Sequence, residues 1–195
     1  MYKHPHIDVT ASSRNRSRFV VLEFHFLTPP IMKTIRTDKQ HQVVNHVPTL
    51  RSGVTRVMIV EDSAFCRLFI GMTVSNIQYL ELASSVSSGD QMKKTLVTDS
   101  NIQVILMDMS LGEETGITLT EYIKINYPNI HVIAFTSCEN PDSIMNMVLA
   151  GASGHVLKDV THYELEIAIN SVLNGKQYFS LPMAFRIVDQ VVERI

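Results

Sequence analysis

The stretch VMIVEDSAF, Val57–Phe65, runs four apolar residues straight into two carboxylates, Glu61 and Asp62. Forty-six residues after Asp62 the chain repeats the arrangement: VILMDMS, Val104–Ser110, is four apolar residues followed by Asp108. Apolar runs without alternation fit strands covered on both faces, as in a parallel sheet. Acids carried to the ends of such strands need a chemical reason.

The surrounding pattern supplies the frame. Short apolar runs at 56–60, 80–86, 103–107, 130–135 and 154–157 alternate with helical-period stretches at 63–76, 89–98, 115–126, 141–150 and 161–174. Five strands separated by five helices imply βαβ crossovers. The expected fold is α/β, a doubly wound five-stranded parallel sheet over 54–175. In such sheets ligands bind beyond the carboxyl ends of the strands.

Composition separates this region from what precedes it. Residues 1–51 carry eight Lys/Arg against three acids, and the remainder nine against sixteen, so a formal net charge of −2 hides two unlike parts. The first glycine is Gly53, and four of the seven prolines lie at positions 5–48. Residues 1–53 are therefore expected to be a poorly ordered basic extension, and Met32 is a second candidate start. Five of the eight histidines fall here, irregularly spaced and away from cysteine, which argues against a metal site. The most apolar early stretch, Phe19–Leu27, contains Glu23 and His25 and is far shorter than a membrane span of about 20 residues. Two cysteines, Cys66 and Cys138, make no disulfide framework. A cytoplasmic location is expected.

The strand ends define the chemistry. The first offers Glu61 and Asp62, the third Asp108, the fourth Thr136 and Ser137, and the fifth Lys158. A parallel sheet gathers these ends on one edge, so residues up to 97 positions apart converge. Clustered carboxylates repel one another unless a cation joins them. Oxygen ligands without His or Cys suit Mg²⁺. Lys158 adds an ammonium for a phosphoryl oxygen and Thr136 a small donor. Together they are the parts for moving a phosphoryl group onto an Asp nucleophile. Taken singly, each residue has an ordinary use: an Asp after a strand forms turns or caps a helix, as Asp62 would here, and a lone Thr or Lys is solvated. The ordered set outweighs those separate readings.

MIVEDSAFCR, VILMDMSLGEETG, AFTS and AGASGHVLKD resemble the receiver domain of bacterial two-component response regulators over 54–175. AGASGHVLKD followed by ELEIAINSVLNGKQYFS is most similar to the NarL/FixJ (LuxR-type) subgroup. The resemblance implies a flavodoxin-like, receiver-type sheet and a cytoplasmic phosphoprotein of a phosphorelay. It implies a 4-aspartylphosphate on Asp108, transferred from a sensor histidine kinase. Asp62, Asp108 and the main-chain carbonyl of Ser110 would hold Mg²⁺, with Glu61 acting through water. Lys158 would pair with the phosphoryl group, and Thr136 would move toward it. Position 155 would rearrange with Thr136 as the switch. No enzymatic turnover is implied beyond slow self-phosphorylation and dephosphorylation.

Two departures stand out. Gly112 replaces the usual Pro, which suggests a more mobile loop. His155 replaces the usual Tyr or Phe, either as a tolerated polar substitute or as a group titrating near neutrality. Ser110 and Cys138 occupy positions that tune dephosphorylation in the family, and Cys66 reads as a small core hydrophobe.

Two rivals remain at this level. A haloacid-dehalogenase-type Mg²⁺-dependent phosphatase would want an acid two residues after the nucleophile, where Ser110 stands. A phosphorylation-independent interaction module commonly loses one member of the set, and none is lost here. Residues 176–195 are expected to form a linker-type helix with one apolar stripe, Ala184, Ile187, Val188, Val191 and Ile195, suited to docking or to a homodimer. No DNA-binding helix-turn-helix is read in the chain. It is expected to be a stand-alone regulator or a truncated LuxR-type transcription regulator.

Overall fold

The computed structural model describes His6–Ser12, Phe19–His25 and residues 53–180, apart from 113, 138 and 139. The chain divides into two compact units, Met1–Val47 and Pro48–Ile195. Most of the extension expected over 1–53 lies outside the described residues. Within it, β1 (His6–Ser12) pairs antiparallel with β2 (Phe19–His25), from His6 opposite His25 to Ser12 opposite Phe19. The β-branched and aromatic residues of FVVLEFH favour that extended state.

The second unit alternates strand and helix. In order it contains β3 (Thr55–Val60), α1 (Ala64–Ser75), β4 (Leu80–Val86), α2 (Gly89–Thr98) and β5 (Val104–Met107). Two short strands follow, β6 (Ser110–Leu111) and β7 (Glu114–Thr115), then α3 (Gly116–Asn126) and β8 (His131–Thr136). The rest is α4 (Pro141–Leu149), β9 (Gly154–Leu157), α5 (His162–Leu173) and β10 (Tyr178–Phe179). The main sheet runs β10-β9-β8-β5-β3-β4, with every pairing parallel. The chain leaves β3 first toward β4 and then crosses back to β5, so the sheet's topological switch point lies between β3 and β5.

The sheet has six strands where five were expected. The sixth, β10, is two residues long and pairs Tyr178 with Gly154 and Phe179 with His155. Two residues are too few to carry an alternation signal, so only the tertiary register reveals it. Residues 176–195 therefore begin as strand; the expected helix and its apolar stripe, from 181 onward, lie outside the described residues. Among the described residues no helix is long and apolar enough to cross a membrane.

Strand side chains alternate between two covered faces. Val57, Ile59, Val104, Leu106, Ile133, Phe135 and Val156 join one core with Ile70 and Val74 of α1 and with Leu165, Ile169 and Val172 of α5. Met58, Val60, Ile105, Met107, Val132 and Ala134, all buried, alternate with them and face the other way. Coverage of both faces is why the strands read as continuous apolar runs.

Side-chain caps set where the five described helices of this unit begin. Ser63, Ser88, Thr115, Asn140 and Thr161 each accept a hydrogen bond from a first-turn amide. The cap of α1 is Ser63, which corrects the expectation that Asp62 would fill that role and leaves the Asp62 carboxylate available. Gly116 opens α3 against the end of β5, and its amide donates to Met109 O at 3.1 Å. A Cβ at Gly116 would collide with the Asp108 carbonyl oxygen and sit 3.0 Å from Met109 Cα, both main-chain atoms with little room to yield. Gly116→Ala should therefore lower unfolding stability by about 1–3 kcal/mol in urea titration, with the slope of the transition unchanged.

Candidate phosphoryl-acceptor site

Cross-strand hydrogen bonds bring the sheet's carboxyl edge into register. Glu61 N donates to Val86 O at 3.1 Å, Asp108 N to Val60 O at 2.9 Å and Lys158 N to Thr136 O at 3.0 Å. Each acid or cation thus leaves its strand at a level set by the neighbouring strand. One carboxylate oxygen from each of Glu61, Asp62 and Asp108 lies within 4.8 Å of the others. Glu61 and Asp108 are buried and Asp62 is exposed.

Lys158 reaches into this cluster. Its Nζ lies 2.6 Å from Glu61 Oε2 and 3.0 Å from Asp108 Oδ2. The same ammonium stands 5.9 Å from the centre of the Phe135 ring, within cation–π range. Burial pulls the Lys158 pKa down, but hydrogen bonds to Glu61 and then Asp108 outweigh it, so the pKa is raised and the ammonium stays charged. Glu61 is pushed up, first by burial and further by Asp108, with Lys158 only partly opposing. Ser63 N donates to Glu61 Oε1 at 3.2 Å. In this arrangement Glu61 is engaged directly by Lys158.

Three carboxylates facing one ammonium leave the edge short of positive charge. The described donors are hard oxygens with neither imidazole nor thiolate, the set that Mg²⁺ takes. The residues present therefore fit such an ion.

Thr136 ends β8 and is buried, one strand from Asp108. Ser110 lies exposed in β6, opposite Thr115 of β7. The loop around Gly112, expected to be loose, is drawn into this two-stranded ribbon, with Gly112 at φ +65°. Glu114 ties the ribbon to α2 through Lys93, 2.7 Å away.

Cys138 lies outside the described residues. Cys66 is half-buried and lines a cleft of about 480 Å³ with Phe65, Phe69, Phe135 and Lys158, which corrects its reading as a core residue. Arg67 went unnoticed in the sequence: its Nη1 donates to Glu61 O at 2.6 Å and to Asp62 O at 2.7 Å. Its position five residues after Asp62 was the only available signal.

His155 is fully buried. Its Nδ1 lies 3.4 Å from Ser180 Oγ, and its Nε2 has no hydrogen-bond partner among the described residues. Burial lowers its pKa to about 4, so the suggestion that it titrates near neutrality is overturned.

A doubly wound parallel sheet with an acidic carboxyl edge, a buried hydroxyl and a paired lysine defines an α/β protein with its candidate site at the strand ends. Residues 57–170 match the response regulator receiver domain, and the chain belongs to that family. It is 29% identical over 129 residues to response regulator GacA of Pseudomonas viridiflava, covering 66% of this chain and 60% of that one. It is 21% identical over 140 residues to the oxygen regulatory protein NreC of Staphylococcus epidermidis, covering 71% and 64%. The chain thus spans less than two thirds of these relatives' length.

A LuxR-family two-component response regulator from Aurantimonas superposes with a TM-score of 0.67 at 22% identity, covering 72% of this chain and 99% of that one. The isolated receiver domain of RcsB from Salmonella enterica, solved with a phosphomimetic, gives 0.62 at 21%, covering 68% and 97%. Those structures share the fold, and the relatives agree with the NarL/FixJ resemblance read from the sequence.

The geometry of His155 sets a pH dependence. Its folded pKa, about 4, lies below the ordinary value of 6.5, so the unfolded chain binds the proton more tightly. The resulting stability is present above the unfolded value and is lost as pH falls through the folded one. Denaturation of wild type and His155→Phe should therefore differ by about 3 kcal/mol more at pH 7 than near pH 4, in favour of the wild type at the higher pH.

Proposed function

We propose that this chain is the phosphoryl-accepting switch of a two-component relay, with Asp108 as the acceptor. The observation that carries the reading is the Asp108 carboxylate, buried at the sheet's switch point, 3.0 Å from the Lys158 ammonium and beside two further acids. Asp62, Asp108 and the Ser110 carbonyl would hold Mg²⁺, with Glu61 reaching it through water once Lys158 releases it. The ion, when bound, would neutralise charge on the transferring phosphoryl group.

The protein's own groups do the rest. An Asp108 carboxylate oxygen attacks phosphorus, the P–N bond to the donor imidazole breaks, and its electron pair stays on the ring nitrogen. Lys158, already facing Asp108, turns to a phosphoryl oxygen, and the Thr136 hydroxyl supplies a second contact. Thr136 is paired with Leu157 in β9, two residues from His155. A shift at Thr136 therefore biases β9 and its neighbours toward a second arrangement.

A histidine-kinase donor fits the rim. Phe65, Leu68, Phe69 and Met72 of α1 are exposed at i, i+3, i+4 and i+7, one apolar stripe whose Phe65 and Phe69 border the cleft at Lys158. Such a stripe suits a protein donor better than a free phosphomonoester, the substrate of the phosphatase alternative.

Incubation with acetyl phosphate and Mg²⁺ should add one phosphoryl mass to the intact protein. The gain should vanish in Asp108→Asn and in EDTA, and Lys158→Ala should slow it by roughly 10²-fold or more. An undiminished mass gain in Asp108→Asn would refute the assignment.

A further inference from the structure

Of the three acids at the edge, Glu61 and Asp108 are fixed by their carboxylates. Glu61 meets Lys158 and the Ser63 amide, and Asp108 meets Lys158. Asp62 is exposed, and its carboxylate has no hydrogen bond or ion pair among the described residues. What orients Asp62 is its main chain: Arg67 Nη1 bridges the carbonyl oxygens of Glu61 and Asp62 at 2.6 and 2.7 Å, and the following amide, Ser63 N, donates to Glu61 Oε1.

We infer that Arg67 is a positioning residue for the cation site, clamping the Glu61–Asp62 turn so that Asp62 faces the cluster before a metal arrives. The inference rests on the acceptor reading above. The clamp is built into α1: Ser63 caps the helix by accepting from Cys66 N at 3.4 Å, and Arg67 N donates back to Ser63 O at 2.9 Å. The helix start and the acid turn therefore share one rigid unit, and charge-assisted bonds of this length are the strong kind. Without them the Glu61 and Asp62 carbonyls lose their common anchor, only the Ser63 amide bond to Glu61 Oε1 still holds the turn, and the one acid lacking a partner of its own loses its aim.

Two effects of Arg67 oppose each other, which makes the inference decidable. Its positive charge beside a cation site repels Mg²⁺, so loss of charge alone tightens binding. Loss of the clamp weakens it. If positioning dominates, Arg67→Met binds Mg²⁺ more weakly even though a repulsive charge has gone.

The experiment is calorimetric titration of Mg²⁺ into wild type and Arg67→Met, with melting of both in EDTA as the measure of fold. Arg67→Met should bind about tenfold more weakly or worse, the loss typical when a residue supporting a metal ligand is removed. Unchanged or tighter binding overturns the inference, whatever the melting temperature does. Wild type that takes up no Mg²⁺ instead overturns the acceptor reading and this inference with it. Should Arg67→Met fail to fold, the wild type decides: ¹⁵N spectra should show hindered rotation of the Arg67 guanidinium with and without Mg²⁺, and freely averaged Nη signals overturn the clamp.

Discussion

The Lys158 ammonium, wedged between the buried carboxylates of Glu61 and Asp108, is the contact on which the rest of this edge depends. Ions withdrawn from water repay their desolvation only in well-held geometry. The parallel sheet holds it, because Glu61, Asp108 and Lys158 leave three different strands whose main chains are cross-linked at that level. Burial also leaves a residue of unsatisfied charge, since Glu61 is pushed above its ordinary range even with Lys158 in contact. Such an edge is chemically suited to the cation proposed for it.

The same contact links chemistry to packing. Lys158 follows β9 directly, and its amide is bonded to Thr136 O, so the proposed acceptor pocket and the ninth strand share one short segment. Three residues before Lys158, His155 is sealed beneath β10, with its main-chain oxygen accepting from Ser180 N at 3.3 Å. Any rearrangement of β9 must carry β10 with it. On the other side, α1 carries two faces: Ile70 and Val74 anchor the core, while Phe65, Leu68, Phe69 and Met72 are exposed, Phe65 and Phe69 bordering the cleft at Lys158.

Much of this was readable in the residues. The unalternating runs VMIV and VILM announce strands covered on both sides, and the acids after them mark the carboxyl edge. The sheet's missing sixth strand was not readable, because a two-residue element has no period. The start of α1 was misplaced by one residue, since Asp62 and Ser63 are both good caps and only geometry chooses between them. Cys66 was read as core from its small apolar character, yet it borders the cleft because that flank of α1 faces the Lys158 side of the sheet.

What the sequence by itself determined was the order of elements and the residue type at each strand end, because both are written in local patterns of period and polarity. The tertiary structure alone decided which partners those residues take. Lys158 found Glu61 and Asp108 across 97 and 50 positions of chain, and buried His155 took Phe179, 24 residues further on, as its strand partner. The Arg67 clamp needed only five residues of separation, but it depends on the exact angle at which α1 leaves β3. Distances between side chains arise from packing among distant segments, and no one-dimensional pattern encodes them.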